Sequence, residues 1–127
     1  MGIILHIANR AAWDEARSIG NYAAASLYAE GFLHCSTIRQ VLDTANRFFP
    51  HQSGLVLLCI DERRTHAEVR YEAPTGDPGP DPAVGALFPH VYGALNLDAV
   101  IRVVDFPPGA DGTFSLPSEI IDLATGT

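Results

Sequence analysis

The chain has 127 residues, 47% of them hydrophobic, and carries a net charge of −7. That length makes one ordinary domain, 1–127, and that composition supports a real core and argues against intrinsic disorder. With no lysine and eight scattered arginines, the sequence lacks the basic stripe of a nucleic-acid binder or of a protein held on anionic lipid, so neither is expected as a partner.

In chain order, Ile3 to Ala8 is a β-branched and apolar run that predicts a strand. The preceding residues lack the basic region of a secretory leader. Asn9 can cap a helix through Ile19, with Trp13, Ala16 and Ile19 on its inner side and Gly20 as its stop. Asn21 to Glu30 is ambiguous, with a short helical turn starting near Ser26 and Leu27. Phe32 to Cys35 predicts a second strand. Thr37 followed by Gln40 forms a capping box, and Ile38, Val41, Leu42, Ala45 and Phe49 recur at helical spacing up to Pro50.

Leu55 to Ile60 is continuously apolar, as in a central strand. Glu68 to Tyr71 alternates, as in a strand with one wet face. Residues 73–85 hold four prolines and three glycines and predict a long binding loop or lid. Leu87 to Tyr92, Val100 to Phe106 and a weak Thr113 to Leu116 complete the strands, with Asp111-Gly112 as a hairpin signal and 117–127 as a C-terminal tail. Helices early and strands late indicate an α+β fold. No run of about 18 apolar residues is present to cross a membrane. Cys35 and Cys59 lie in apolar runs and read as buried thiols of a reducing compartment, which points to the cytoplasm.

Strand side chains alternate between faces. In the first strand Ile3, Leu5 and Ile7 share one side, taken as the core side, which leaves His6 on the other. His34 and Ser36 share a face, as do His90 and Tyr92. On the wet strand Glu68, Arg70 and Glu72 lie together. The expectation is a polar cleft lined by His6, His34, Ser36, His90 and Tyr92, with donors, acceptors and imidazoles that titrate near neutral pH. A lone strand histidine is more often structural than catalytic, so the shared facing pattern carries the expectation. Cys35 faces away from His34, and no paired metal-ligand spacing occurs, so no metal is expected. His51 and His66 read as surface residues.

The segments S-L-x-x-E-G-F-L-H-C-S (Ser26 to Ser36), A-N-R-F-F (Ala45 to Phe49) and F-P-H-V-Y-G-x-L-N (Phe88 to Asn96) closely resemble a bacterial family of uncharacterised small proteins, the domain-of-unknown-function-952 family. The resemblance runs from Ile3 to about Leu116. It implies an ADP-ribosyltransferase-like domain in which two small facing β-sheets form a split cleft beside two main helices. It further implies NAD as co-substrate, or a related small phosphorylated ligand, whose ADP-ribose or phosphate part is transferred or hydrolysed. On that resemblance His6 and Ser36 bind the cofactor, and His34, His90 and Tyr92 are catalytic; Glu72 joins the catalytic set on chemical grounds, as the strand-borne acid that could stabilise an oxocarbenium-like ribose. The late E-x-E or Q-x-E motif of the transferases is missing, which leaves a second expectation: a ligand-binding or regulatory module that keeps the fold without the chemistry.

Overall fold

The computed structural model describes residues 2–73 and 87–124. Along them run β1 (Ile3–Asn9), α1 (Arg10–Ile19), β2 (Asn21–Tyr22), α2 (Ala25–Glu30), β3 (Leu33–His34), α3 (Val41–Phe48), β4 (Leu55–Asp61), β5 (Glu68–Glu72), β6 (Phe88–Tyr92), β7 (Leu95–Asn96), a 3-10 turn (Leu97–Ala99), β8 (Val100–Asp105) and α4 (Ser118–Ala124). The strands form three small antiparallel sheets, ordered β1-β4-β8, β2-β7 and β3-β6-β5. The fold is mixed α+β. The Pro/Gly segment expected as a binding loop falls almost wholly within 74–86, outside the described residues.

Strand β4 is central because every one of its seven residues is buried. Val56, Leu58 and Ile60 pack with Ile4, Ala8, Trp13, Leu33 and Val91 on one side. Leu55, Leu57 and Cys59 pack with Leu5, Val41, Ala45 and Phe106 on the other. Each large aliphatic side chain so buried contributes about 1.5–3 kcal/mol.

Both faces of this sheet are covered, so the first strand has no open side for His6. Ile3, Leu5 and Ile7 do face a core, with Leu5 buried and Ile3 and Ile7 half-buried, but Ile4, His6 and Ala8 on the other side are buried as well. The side taken as open is the interior between the two larger sheets. Those sheets meet where Leu5 and Ser36 exchange both main-chain hydrogen bonds, at 2.7 and 2.8 Å. The chain leaving β3 therefore crosses directly onto β1.

Helix α1 is capped as its sequence predicts. The Asn9 side chain accepts from the Ala11 N–H, and Gly20 closes the helix at φ +107°. Trp13 and Ala16 are buried, but Ile19 is 65% exposed. Each three-residue step turns about 60° backwards round the helix, so Ile19 falls about 120° from Trp13, past the edge of the apolar stripe. Before α3, the Gln40 side-chain oxygen Oε1 accepts from the Thr37 N–H at 2.9 Å, which is one half of a capping box. The other half is replaced by a turn over 38–40, and the helix starts at Val41. Phe48, next to the stripe residue Phe49, is 58% exposed.

The C-terminal part departs most. Thr113 to Leu116 is not a strand. Phe114 buries its ring against Phe106, centroids 4.7 Å apart, and its N–H donates to Asn46 Oδ1 rather than to a ladder. The Asp111-Gly112 turn closes on itself through Gly109 N–H to the Thr113 carbonyl, so it joins no strand pair. The expected tail instead forms α4, with Ile120 fully buried.

Candidate functional site

In the β3-β6-β5 sheet, Leu33, Cys35 and Val91 join the core and Val69 packs against it. Alternation then turns His34, His90, Tyr92, Glu68, Arg70 and Glu72 to the outer face. The register sets His34, His90 and Arg70 in one row across the three strands. The His34 and His90 ring centroids lie 5.5 Å apart, nearly perpendicular.

Phe32 organises this face. Its ring stacks on His90 at 4.2 Å and 22°, meets His34 edge-on at 4.9 Å and lies 5.2 Å from Tyr92. His90 is consequently only 2% exposed. Glu72 reaches across from β5. Its Oε1 accepts from His90 Nδ1–H at 2.8 Å and from the Tyr92 hydroxyl at 2.5 Å. These donors, Tyr92 first and His90 second, hold the Glu72 carboxyl below the usual carboxylate range. The same bond to Glu72 raises the Tyr92 hydroxyl above its ordinary value. Arg70 lies over the Tyr92 ring, 4.5 Å from its centroid, and pairs with Glu68 at 3.0 Å. His34 Nε2 is hydrogen-bonded to Glu30 at the end of α2.

His34, Glu72, His90 and Tyr92 are thus brought together on one face. His6 and Ser36 are not brought to them. The His6 ring lies in the interior, 6% exposed. Its Nδ1–H donates to the His34 carbonyl at 2.6 Å, and the Tyr22 hydroxyl donates to its Nε2 at 3.0 Å. Burial is the main cause that lowers its pKa to about 4, so the ring is neutral near neutral pH. Burial likewise lifts Tyr22 to about 12. The buried Ser36 hydroxyl donates to Thr44 Oγ1 on α3 at 3.3 Å.

Glu30, Phe32 and Arg70 belong to this face without having been singled out as site residues in the sequence. Phe32 lies two residues before His34, and Glu30 four before it, so period two and the Gly31 turn were the available signals. An open groove of 510 Å³ lies elsewhere, along β5 and the turn before it, lined by Glu62, Thr65, His66, Glu68 and Tyr71 among others. None of His34, Glu72, His90 or Tyr92 lines it. Among the described residues no group of three His, Cys, Asp or Glu side chains is set to hold a metal ion, and no helix is long and apolar enough to cross a membrane.

Comparison with known families matches residues 7–103 to the family described as "Protein of unknown function (DUF952)". The chain belongs to this family. The strands bearing His34, Glu72, His90 and Tyr92 all lie inside the matched region. A crystal structure of protein CC0527 from Caulobacter crescentus is 33% identical, covers 94% of this chain and 98% of its own, and superposes with a TM-score of 0.79. The solution structure of the same protein, also 33% identical, covers 94% of this chain and 97% of its own with a TM-score of 0.75. No curated protein matches.

Proposed function

We propose that the outer face of the β3-β6-β5 sheet binds NAD or a related phosphorylated nucleotide and transfers or hydrolyses its ADP-ribose part, on an ADP-ribosyltransferase-like fold. The observation that carries this reading is the Glu72 carboxylate, held ionised and oriented by His90 and Tyr92. Breaking an N-glycosidic bond builds positive charge on the ribosyl carbon, and a fixed carboxylate stabilises that charge. Arg70, on the same face of β5 as Glu72, supplies a cationic contact that phosphate oxygens need. Transfer of the phosphate part fits less well, because Glu30, Glu68 and Glu72 crowd the same face with negative charge. Two buried free thiols and an NAD substrate both suit the cytoplasm.

The second reading is a binding or regulatory module without turnover. One observation favours it: His6 and Ser36, the residues the resemblance assigns to the cofactor, spend their polar atoms on internal bonds. Calorimetry with NAD, ADP-ribose and a 2′-phosphorylated nucleotide, together with a nicotinamide-release assay, separates the two. Turnover by the wild type that falls by about 100-fold or more in Glu72→Gln supports the enzyme reading. Heat of binding without release supports the module, and no heat with any ligand removes both.

A further inference from the structure

We propose that Glu30 and His34 form a second carboxylate–imidazole pair on this face, and that His34 is the base that deprotonates the acceptor, water in the simplest case. The pair rests on geometry that is independent of Glu72. Glu30 ends α2, and Gly31 at φ +90° reverses the chain into β3, its N–H bonded to the Leu27 carbonyl. That reversal returns His34 alongside Glu30, and the two side chains join through Nε2 and Oε2. With a carboxylate accepting at Nε2, the Nε2–H is the donor and Nδ1 carries the lone pair of the neutral ring. The His34 side chain is 44% exposed, whereas His90 is buried beneath Phe32. Of the two histidines, only His34 is open to a bound molecule.

The two pairs divide the work. Glu72 is fixed by His90 and Tyr92, and stays ionised beside developing positive charge. Glu30 orients His34 and balances the imidazolium that forms when it takes a proton, the role an orienting carboxylate plays toward a catalytic imidazole. On the ribosyl-transfer reading, on which this assignment of the acceptor rests, the water oxygen bonds to ribosyl C1′ as the C1′–N bond breaks. The bonding pair leaves with nicotinamide, which departs neutral. The water proton passes to His34 Nδ1. Glu30 is thus a positioning residue and His34 a catalytic one.

The test reads the pair itself as well as turnover. In the full chain at pH 8, where ordinary imidazoles are neutral, site-resolved labelling by diethyl pyrocarbonate gives the nucleophilicity of His34, with the exposed His51 and His66 as internal references. Glu30→Gln is expected to slow labelling of His34 alone, and Glu30→Asp to restore part of it. Equal His34 labelling in wild type and Glu30→Gln overturns the pair. For nicotinamide release, Glu30→Gln is expected to lower kcat by about tenfold or more and to leave the Kd for ADP-ribose unchanged. A Kd that weakens in step with kcat makes Glu30 a ligand contact and overturns its positioning role. Glu30-dependent labelling in a wild-type protein that neither binds nor cleaves NAD leaves the pair standing and removes the ribosyl substrate.

Discussion

The His6 ring and the His34 backbone are joined by a 2.6 Å hydrogen bond from Nδ1–H to the carbonyl, while the His34 ring turns outward to Glu30. One residue of β3 thereby ties the interior to the outer face. His6 fixes the strand, and the strand presents His34. Because both His6 nitrogens are used, this buried imidazole is a structural acceptor and donor rather than a ligand contact.

That arrangement predicts a stability profile. The His6 pKa is about 4 in the folded chain and ordinary, about 6.5, in the unfolded chain. Between those values the unfolded chain binds a proton that the folded chain refuses. Stability should therefore fall as pH drops from about 6.5 toward about 4, by about 3 kcal/mol from this residue if nothing compensates. Urea unfolding across that window checks it. His6→Gln should be less stable at pH 7 and have a shallower slope, and an unchanged slope would exclude His6 as the source.

Glu72 makes predictions at both ends of the pH scale. Its carboxyl is depressed, so whatever stability it lends is fully present above its unfolded value of about 4.3 and is lost only as pH falls through the lower folded value. The same bond raises Tyr92. In Glu72→Gln one tyrosine should ionise closer to the ordinary value of about 10, read as absorbance near 295 nm during alkaline titration. Tyr22 and Tyr71, at about 12 through burial first, should not move. Identical titrations of variant and wild type would show that Glu72 does not hold Tyr92.

The sequence carried the outer face well because strand alternation is local. His34, His90 and Tyr92 each follow from period two and a single core neighbour, Leu33 or Val91. Alternation alone could not decide which side of β1 faces water, since both sides of that sheet are covered: α3 and Phe114 pack one side and the β3-β6-β5 sheet the other. A covered sheet removes the contrast that periodicity reads, so alternation places His6 on the right side of β1 but not in an open cleft. Phe114 marks a second limit. The run Thr113 to Leu116 weakly predicts a strand, but the Phe114 N–H finds Asn46, 68 residues earlier in the chain. Nothing local announces such a partner. The two-residue strands β2 and β7 are likewise too short to leave a pattern.

Gly112 tests the turn that anchors this C-terminal segment. It sits at φ +86°, and a Cβ there would lie 2.0 Å from the His51 ring nitrogen Nδ1. His51 itself holds φ +65°, and its N–H donates to the Gly112 carbonyl. Gly112→Ala combines backbone strain with a clash and should cost about 1–3 kcal/mol in urea unfolding. Gly109→Ala, at ordinary φ and 3.2 Å from the Thr113 carbonyl, should cost less. Equal losses would place the strain elsewhere.

Phe32 joins packing to the candidate chemistry. It is 7% exposed, and its ring is the surface on which His90 lies. Phe32→Ala leaves a void and should cost about 3–5 kcal/mol, enough to unfold a marginal domain. Phe32→Leu keeps most of the volume and should cost about 1.5 kcal/mol or less, so it isolates the stacking. An aromatic face at 4.2 Å shields the protons of the ring above it, so the His90 ring resonances should shift downfield in Phe32→Leu while those of His66 stay fixed. Because His90 then loses the surface that orients its bond to Glu72, Tyr92 should keep only part of its raised ionisation. A folded Phe32→Leu with unchanged His90 resonances would mean that the two rings do not stack in solution, and that Glu72 takes its position from Tyr92 alone.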